Sequence, residues 1–532
     1  MNPVLKSIPL VVTLYVEAVA PSLQDNTADL DRLKNGLSPL LSSPLAGRNL
    51  CIPFSCMAPV AAAFRKADFQ GYAVLNIFPG KIDIIDFLPQ QPDVLPAMAL
   101  DLGTTHIEAT LIDLLTGTTL AGAHAVNRQI EYGTDILSRI HFAGKGRGLQ
   151  VLQQAILDTI DQLARDLAGR VKTTAENIRA ISVSGNTTMV HLLLGLSPYH
   201  ICREPYIPLV NAPDPFMSRE LGLAIHPQAP VWVLPSIGSY FGGDLISGIL
   251  AAGLDQTDAT CMLIDVGTNA EVVLGNSEWL IACAGAAGPA LEGGVARMGM
   301  RADSGAVEHV TIDHNTWQLR WTTIDDAPPV GICGSGLIDL VAELYLARII
   351  DIRGKFQAEF PGQNGEEKAF VRKHLVSRDG ETMFIVAFAD ESGSDEPVVL
   401  SQVDLDAMMR SKAAMYAILT TLTAQVGVEF KDLDRIYVAG AFGKHINPAR
   451  AITLGMLPDL PLSTYKPLGN SSLHGAEQML LNEKTRIRAT EIGKKITYIE
   501  LNVNQEFMIR FSGSRFIPHT NPEFFPSVPT FT

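Results

Sequence analysis

The sequence predicts an α/β fold, and three features support that prediction. An apolar segment runs into an Asp-x-Gly-Thr turn at residues 99–105, and the same pattern returns at residues 263–269, each time with a second strand after the turn. Between the two turns, residues 149–167 carry leucine and isoleucine at helical spacing. The apolar run at residues 178–184 has the length of a buried strand. Strands and amphipathic helices therefore share the chain.

Length and composition exclude several classes of protein. The 532 residues exceed the size of one hydrophobic core, so we expect several domains. Hydrophobic residues make up 47% of the chain and charged residues 18%, as in a well-packed globular protein. The net charge of −15 leaves no basic excess for binding nucleic acid. The apolar run at residues 10–16 is too short to span a membrane and lacks the flanks of a secretory signal. We expect a cytoplasmic protein that binds neither nucleic acid nor membrane.

The first hundred residues predict a small α+β domain. Residues 72–78 and 81–87 are apolar runs on either side of a Pro-Gly turn, which is typical of a hairpin. Residues 89–93 are polar and contain two prolines, so we place a domain boundary near residue 94. The predicted division is a linker segment at 1–25, a small middle domain at 26–94 and a larger domain at 95–532.

The two Asp-x-Gly-Thr turns have the residues that a metal-bound polyphosphate requires. Asp101 and Asp265 stand at strand ends, where a carboxylate offers Mg²⁺ a hard oxygen ligand, directly or through water. Gly103 and Gly267 let the backbone turn tightly and bring N–H groups against phosphate oxygens, and threonine hydroxyls add donors. One such turn alone is more often an ordinary hairpin. The matched pair favours a phosphate clamp made by the two turns.

Other glycine turns add candidate residues. Asn186 stands where a glycine turn leads into a helix, so it either faces a phosphate at the electropositive helix N-terminus or caps the helix. Asp244 follows two glycines at the start of another helix, and Glu271 lies on the strand that leaves the second Asp-x-Gly-Thr turn. Residues 284–294 form a loop of small residues that suits close approach of a ligand or partner. Residues 436–443 run from a strand into a glycine turn that would form an adenosine shelf.

Spacing predicts further elements in the second half of the chain. Residues 337–346 have the pattern of a helix, and Ser401 starts a capping-box-like sequence before a long helix that ends near Val426. Residues 354–396 are polar and glycine-rich, which predicts an exposed excursion. We expect strands at residues 496–511, ahead of a proline-rich end.

The six cysteines are scattered along the chain. Only Cys51 and Cys56 are close together, and two thiols cannot supply the four ligands that an iron–sulfur cluster usually takes. We expect reduced, mostly buried thiols and no iron–sulfur site in this chain.

The order of the motifs resembles the superfamily of acetate and sugar kinases, Hsp70 and actin, abbreviated ASKHA. Two phosphate loops, a glycine loop between them that starts a helix, and a late strand-Gly-x-Phe-Gly turn are similar to its first phosphate, connecting, second phosphate and adenosine motifs. The resemblance implies a two-lobed, actin-like ATPase of ribonuclease H-like domains, with the small α+β domain ahead of it. The lobes would lie at about 95–260 and 261–532 and would close over Mg-ATP, each contributing one carboxylate.

Within that superfamily, the details resemble the reductive activators of corrinoid proteins, ATP-dependent activases that serve corrinoid methyltransferase systems. The similarity extends over nearly all of residues 97–532 and includes residues 21–23 and 29–33. Many members of that family begin with a ferredoxin-like domain that holds a [2Fe–2S] cluster on four cysteines, a spacing that this sequence lacks. The resembling segments are 101–105, 132–140, 185–189, 242–244, 265–271, 286–294, 299–302, 331–339, 438–443 and 518–519.

This resemblance implies that the chain binds ATP and Mg²⁺ and drives reduction of cobalamin-type corrinoid, Co(II) to Co(I), on a partner corrinoid protein. It also implies a homodimer, with electrons from an external ferredoxin-like donor or from an N-terminal domain that is missing here. By this resemblance Asp101 and Asp265 hold the metal and its waters, and Glu271 or Asp244 orients the attacking water. The phosphate-binding set is Thr104, Thr105, Thr268 and Asn269, with Asn186 nearby, and the nucleoside-binding set is Gly334, Ser335, Gly440 and Gly443.

Two other functions use the same fold. A small-molecule kinase would transfer the γ-phosphate to a hydroxyl or carboxylate, and its ATP turnover would rise strongly with one metabolite. A nucleotide-switched, chaperone-like binding protein would show slow ATP turnover that only a protein client stimulates. The small-residue loop at 284–294 and the extra N-terminal domain favour a protein partner over a metabolite.

Overall fold

The structure, a computed structural model, describes residues 7–267, 270–285, 296–360, 363–378, 380–501 and 504–531. The chain divides into two compact units. The first unit contains Met1–Leu250 and Ser472–Lys494, and the second contains Ala251–Ser471 and Lys495–Thr532. The chain therefore leaves the first unit and later returns to it with a helical segment.

Strands and α-helices are numbered in chain order. Within the described ranges, no helix combines the length and apolarity needed to cross a bilayer. The strands are β1 Val11–Glu17, β2 Asn49–Cys51, β3 Gln70–Phe78, β4 Lys81–Leu88, β5 Pro96–Leu102, β6 His106–Asp113, β7 Thr119–Val126, β8 Ile181–Gly185, β9 Phe216–Met217, β10 Pro230–Val233, β11 Cys261–Val266, β12 Ala270–Gly275, β13 Leu280–Gly285, β14 Ala306–Asp313, β15 Gln318–Thr323, β16 Gly331–Ile332, β17 Leu375–Arg378, β18 Glu381–Ala387, β19 Val398–Ser401, β20 Arg435–Ala439, β21 Tyr465–Gly469 and β22 Ile496–Tyr498. The helices are α1 Asp29–Leu37, α2 Phe54–Lys66, α3 Ile136–Ala143, α4 Gly148–Arg170, α5 Thr187–Leu193, α6 Ser218–Leu221, α7 Gly243–Ala252, α8 Gly334–Leu346, α9 Gly365–His374, α10 Gln402–Gln425, α11 Gly440–His445, α12 Pro448–Thr453, α13 Ser471–Leu481, α14 Glu483–Lys495 and α15 Gln505–Gly513.

The first unit is built on a six-stranded sheet of order β7-β6-β5-β8-β10-β9. β5, β6 and β7 form an antiparallel meander. β8 pairs with β5 in parallel, and β10 pairs with β8 in parallel. Because β5 and β8 are parallel, their carboxyl ends lie at the same edge of the sheet, and Asp101 is in register with Ser184 there.

Helix α4 packs against β6, β7 and α5 in the first unit. The helix predicted at residues 149–167 is confirmed, with observed bounds Gly148–Arg170. Burying each large aliphatic side chain of its predicted stripe contributes roughly 1.5–3 kcal/mol. That stripe is buried at every position: Leu152, Ile156, Ile160, Leu163 and Leu167.

A second, four-stranded sheet of order β1-β3-β4-β2 forms the N-terminal part of the first unit. The predicted hairpin is confirmed as β3 and β4. The returning segment attaches here, because the Arg48 guanidinium donates two hydrogen bonds to the Glu483 carboxylate at 2.7 and 2.6 Å. The backbone N–H of Leu10 also donates to the carbonyl oxygen of Leu480 at 2.8 Å.

The second unit repeats the plan of the first. Its six-stranded sheet has the order β21-β20-β11-β12-β13-β22. β11, β12 and β13 form the antiparallel meander, and β20 and β21 continue from β11 in parallel. Counted along the chain within each unit, both sheets place their main strands in the order 3-2-1-4-5, as in ribonuclease H-like folds. The α/β prediction is confirmed.

Helix α10 lies in the core of the second unit. Its predicted capping box is present: Ser401 Oγ accepts from the Asp404 backbone N–H at 3.2 Å, and Asp404 Oδ2 accepts from the Ser401 N–H at 3.1 Å. Farther along, the buried Lys412 Nζ donates to the carbonyl oxygens of Phe516 and Pro518 at 2.6 and 2.7 Å. Burial lowers the pKa of Lys412. The C-terminal segment is thus fixed to α10.

The predicted exposed excursion at residues 354–396 was wrong. In its described part, α9 packs against a three-stranded sheet of order β17-β18-β19. Phe370 and Phe384 are 5% and 0% exposed. The apolar strand β18 is short, and acidic and glycine residues lie on both sides of it in the sequence. The composition averaged over residues 354–396 is therefore polar, and it gives no sign of the strand.

The strand prediction at residues 496–511 was wrong beyond Tyr498, because residues 505–513 form helix α15. Asn504 Oδ1 accepts from the Phe507 backbone N–H at 3.2 Å and caps this helix. Phe507 and Phe511 then lie one turn apart, with ring centroids separated by 6.3 Å. The aromatic spacing is therefore helical.

Candidate functional site

The first Asp-x-Gly-Thr turn joins β5 to β6. A Cβ added to Gly103 would lie 2.3 Å from the His106 carbonyl oxygen, so the turn itself requires glycine. Asn127, which is fully buried, holds the turn from outside: its Nδ2 donates to the Gly103 carbonyl oxygen at 3.0 Å, and its backbone N–H donates to the Thr105 carbonyl oxygen at 2.8 Å. Sequence reasoning missed Asn127, because its role depends on where β7 ends.

Asn186 caps helix α5 and contacts the first turn, and its role in facing a phosphate stays a prediction. Its Oδ1 accepts from the Met189 backbone N–H at 3.0 Å and caps α5. Its Nδ2 donates to Thr104 Oγ1 at 3.2 Å, which brings it against the first turn. The structure therefore places Asn186 and Thr104 together.

Asp244 lies beside the same group of residues. A Cβ on Gly242 would lie 2.3 Å from Asn186 Cα and 2.6 Å from Asp244 Oδ1, so these residues are in close contact around a glycine. Burial, and to a smaller extent the neighbouring Asp101 carboxylate, raises the pKa of Asp244 to about 6. A carboxylate with a pKa near neutrality takes a proton from water more readily than an ordinary aspartate does.

Three serine hydroxyls lead away from Asp101. Ser472 Oγ donates to Asp101 Oδ1 at 2.6 Å. Ser184 Oγ lies 2.8 Å from Ser472 Oγ and 2.9 Å from Ser247 Oγ. Sequence reasoning missed all three serines; the only signal was the position of Ser472 at the start of α13.

The second turn begins at Asp265, at the end of β11. Asp265 is in register with Glu271 on β12, and Asp101 is in register with Glu108 on β6. Glu108 is therefore the counterpart of Glu271. The two motifs do not show this when they are aligned at their aspartates, because Glu108 follows its aspartate by seven residues and Glu271 follows by six. Burial, together with the nearby Glu271 carboxylate, raises the pKa of Cys283.

Gly440 starts α11 directly after β20. Its φ of +76° is left-handed, and a Cβ there would lie 2.9 Å from Asp265 Oδ1. A Cβ on Gly443 would lie 2.2 Å from the Val438 carbonyl oxygen. Both positions thus require glycine for packing, and Gly440 lies beside the carboxylate of Asp265. Their contact with a nucleoside stays a prediction.

Gly334 and Ser335 lie in the first turn of α8. The Ser335 hydroxyl lies 3.3 Å from Cys333 Sγ and is buried. A Cβ on the next residue, Gly336, would lie 2.2 Å from the Val307 carbonyl oxygen, so α8 packs closely on β14. Gly267 ends the described part of the second turn. Thr268, Asn269 and residues 286–294 of the small-residue loop lie outside the described residues.

The described residues contain no group of three or more His, Cys, Asp or Glu side chains placed to enclose a metal ion. Mg²⁺ does not need such a group, because it commonly keeps several waters and binds through one or two carboxylates plus substrate phosphates. An aspartate at the end of β5, held by a hydroxyl and next to a glycine turn, fits that requirement.

Three family models match the chain in succession. They are described as the RACo linker region, matching residues 4–92, the RACo middle region, matching 96–257, and the C-terminal ASKHA domain of RACo, matching 259–529. The chain belongs to the RACo family. The predicted resemblance is therefore confirmed.

Curated relatives agree with that assignment. The corrinoid activation enzyme RamQ of Eubacterium limosum is 30% identical over 442 residues, which are 82% of this chain and 73% of the relative. A second relative, the [Co(II) methylated amine-specific corrinoid protein] reductase of Methanosarcina barkeri, is 24% identical over 430 residues, which are 75% of this chain and 72% of the relative.

A solved structure shares the fold. The reductive activator for corrinoid, iron–sulfur protein is 35% identical and superimposes with a TM-score of 0.87 over 98% of this chain and 81% of its own. The match confirms the predicted fold class, a ribonuclease H-like, actin-like ATPase.

Proposed function

We propose that this RACo family member is an ATP-dependent reductive activase that restores the Co(I) state of a corrinoid bound to a partner protein. The observation that carries the proposal is the repeated sheet, which places an aspartate and a glycine turn at the same register position in each unit. The names of the relatives supply the corrinoid protein as the partner and Co(II) as the state that is reduced.

We assign Asp101 and Asp265 to Mg²⁺ and its waters. The turn threonines, Asn269 and Asn186 would face the phosphates, and Gly334, Ser335, Gly440 and Gly443 would hold the nucleoside. Mg²⁺ would neutralise phosphate charge when bound. Asp244, with its raised pKa, or Glu271 would orient the water that attacks the γ-phosphorus, and the bond to the β–γ bridging oxygen would break. ATP and water become ADP and phosphate, while one electron from the donor reduces Co(II) to Co(I).

Nucleotide assists the reduction only by binding one state of the complex with the partner more tightly than another. Moving an equilibrium from 1:99 to 99:1 requires about 5.5 kcal/mol of such preference. Hydrolysis then resets the cycle. The electron donor in this proposal is a ferredoxin-like protein or domain outside the sequence described, and the activase works in the cytoplasm as a homodimer.

The site assignment is tested by ATP turnover. We expect Asp101→Ala and Asp265→Ala each to abolish Mg²⁺-dependent ATP hydrolysis, measured with and without a Co(II) corrinoid protein, because each removes a metal-binding carboxylate. Asp406→Ala is a suitable control, since Asp406 pairs with Lys355 at the surface at 2.7 Å. Wild-type turnover in both site variants, with the fold checked by circular dichroism, would contradict the assignment.

A further inference from the structure

A row of serine hydroxyls links Asp101 to elements far apart in the chain. Ser184 lies on β8, Ser247 on α7 and Ser472 on α13, and all belong to the first unit. Ser184 and Ser247 are 0% exposed and Ser472 is 7% exposed. The distances along the row are 2.9, 2.8 and 2.6 Å, ending on Asp101 Oδ1. Each hydroxyl is therefore close enough to hydrogen-bond directly to the next oxygen in the row, without a bridging water.

Proton counting fixes its direction. An ionised carboxylate only accepts, so the Ser472 hydroxyl donates to Asp101. A hydroxyl has one proton, so Ser184 must donate to the Ser472 oxygen, and Ser247 must donate to the Ser184 oxygen. Every hydroxyl then donates once, and the bond to the charged carboxylate is the shortest of the three. Such a chain polarises toward the negative charge and stabilises it.

The backbone around the row is also specific. Ser182 Oγ donates to the Ala476 carbonyl oxygen at 2.6 Å, which fixes α13 to strand β8. A Cβ on Gly475 would lie 2.3 Å from Ser247 Cβ and 2.5 Å from Ser247 Oγ, so only glycine allows α13 to lie this close to α7. Ser472 reaches Asp101 because α13 is held at this depth.

Ser472 lies at the point where the chain re-enters the first unit. It is the first residue of the segment Ser472–Lys494, with which the chain returns to the first unit between the two parts of the second unit. A shift of the first turn of α13 would therefore move the donor that orients Asp101.

We propose that Ser472 is a positioning residue for the metal site: its hydroxyl sets the orientation of the Asp101 carboxylate and so the affinity for Mg²⁺ with nucleotide. The inference rests on the proposed role of Asp101. Partners that orient a metal ligand in this way typically change metal affinity or activity about 10- to 100-fold when they are removed.

The test compares Ser472→Ala with Ser472→Thr in the full chain. Binding of Mn²⁺ in the presence of ADP is measured by electron paramagnetic resonance, as the loss of the free Mn²⁺ signal beyond the loss that ADP alone causes. The Mg²⁺ concentration for half-maximal ATP hydrolysis is measured separately. Ser472→Ala weakens metal binding about 10-fold or more. Ser472→Thr retains the hydroxyl and restores most of the affinity. Ser184→Ala, which removes the donor to Ser472, shifts affinity in the same direction by less.

The matched control is Ser218→Ala. Ser218 is fully buried, and its hydroxyl donates at 2.6 Å to the His226 carbonyl oxygen, not to Asp101. It leaves the metal affinity unchanged even if it lowers thermal stability. If Asp101→Ala loses metal binding while Ser472→Ala and Ser184→Ala retain wild-type affinity, the role of Ser472 is refuted and the metal site stands. If wild-type protein binds no Mn²⁺ with ADP, both proposals are refuted.

Discussion

Protonation of His226 is expected to change the stability of the folded protein. Burial, with a smaller contribution from the Arg179 guanidinium, lowers the pKa of His226 to about 4. Its Nδ1 also accepts from the Gln228 backbone N–H at 3.3 Å, a bond that a proton on Nδ1 would break. The folded protein therefore prefers the neutral ring.

The sign of the pH dependence follows. The unfolded chain binds the proton with a pKa near 6.5, so His226 contributes stability that is fully present above about pH 6.5 and is lost as the pH falls toward 4. After discounting for partial solvent exposure, we expect a loss of about 2 kcal/mol over that window. In urea unfolding between pH 4 and 7, His226→Gln makes the free energy of unfolding depend less on pH. Replacing the exposed His124 by Gln does not change that dependence. Equal slopes in both variants would contradict this account.

At the residue scale, the sequence indicated candidate site residues that lie close together, but it did not indicate the residues that support them. Asp101, Thr104, Asn186 and Asp244 belong to short glycine motifs whose chemistry is local, and the structure brings them together. Ser472 lies 371 residues after Asp101, so no local pattern joins the two. Supports of this kind are determined by how distant helices pack.

Helix α13 provides the main prediction at the scale of elements. Gly475→Ala places a Cβ 2.3 Å from Ser247 Cβ and pushes α13 away from α7. We expect a loss of about 1–3 kcal/mol of stability from this overpacking, together with weaker Mg²⁺ binding because the serine row is broken.

Gly493→Ala on α14 is the matched control for Gly475→Ala. A Cβ there would meet only Ile237 Cγ1, at an ordinary 3.8 Å. Because alanine favours a helix interior over glycine by up to about 1 kcal/mol, this variant should be neutral or more stable. Thermal unfolding of the two variants side by side measures the difference. Equal effects from both would show that the close approach of α13 to α7 does not matter.

Elements with a strong period or a cap could be predicted from the sequence. The stripe of α4 and the capping box of Ser401 are local signals, and the observed helices follow them. Strand β18 and helix α15 were misjudged because polar neighbours or β-prone aromatic residues outweighed short apolar patterns. Packing against the core of the second unit decides those segments, and such packing is not a local property.

At the scale of the whole molecule, the duplicated Asp-x-Gly-Thr turn predicted a duplicated architecture. Each unit has a meander followed by parallel strands, and each places its aspartate opposite a glutamate. The duplication could be predicted from the sequence because each turn and its two flanking strands lie in one short, continuous segment of the chain. The central claim is that ATP binding and hydrolysis drive the reduction of Co(II) to Co(I) on a partner protein. This coupling is a property of the complex with the partner, and the sequence of one chain does not encode it in a local pattern.

That claim is tested most directly by the absorption spectrum of a partner corrinoid protein supplied with a low-potential reductant, a ferredoxin-like donor, this chain and Mg-ATP. We predict that the Co(II) band decays and the Co(I) band grows only when ATP is present, and that neither change occurs with Asp101→Ala. Failure to form Co(I) with the complete mixture, or formation at the same rate and extent without ATP, would contradict the account.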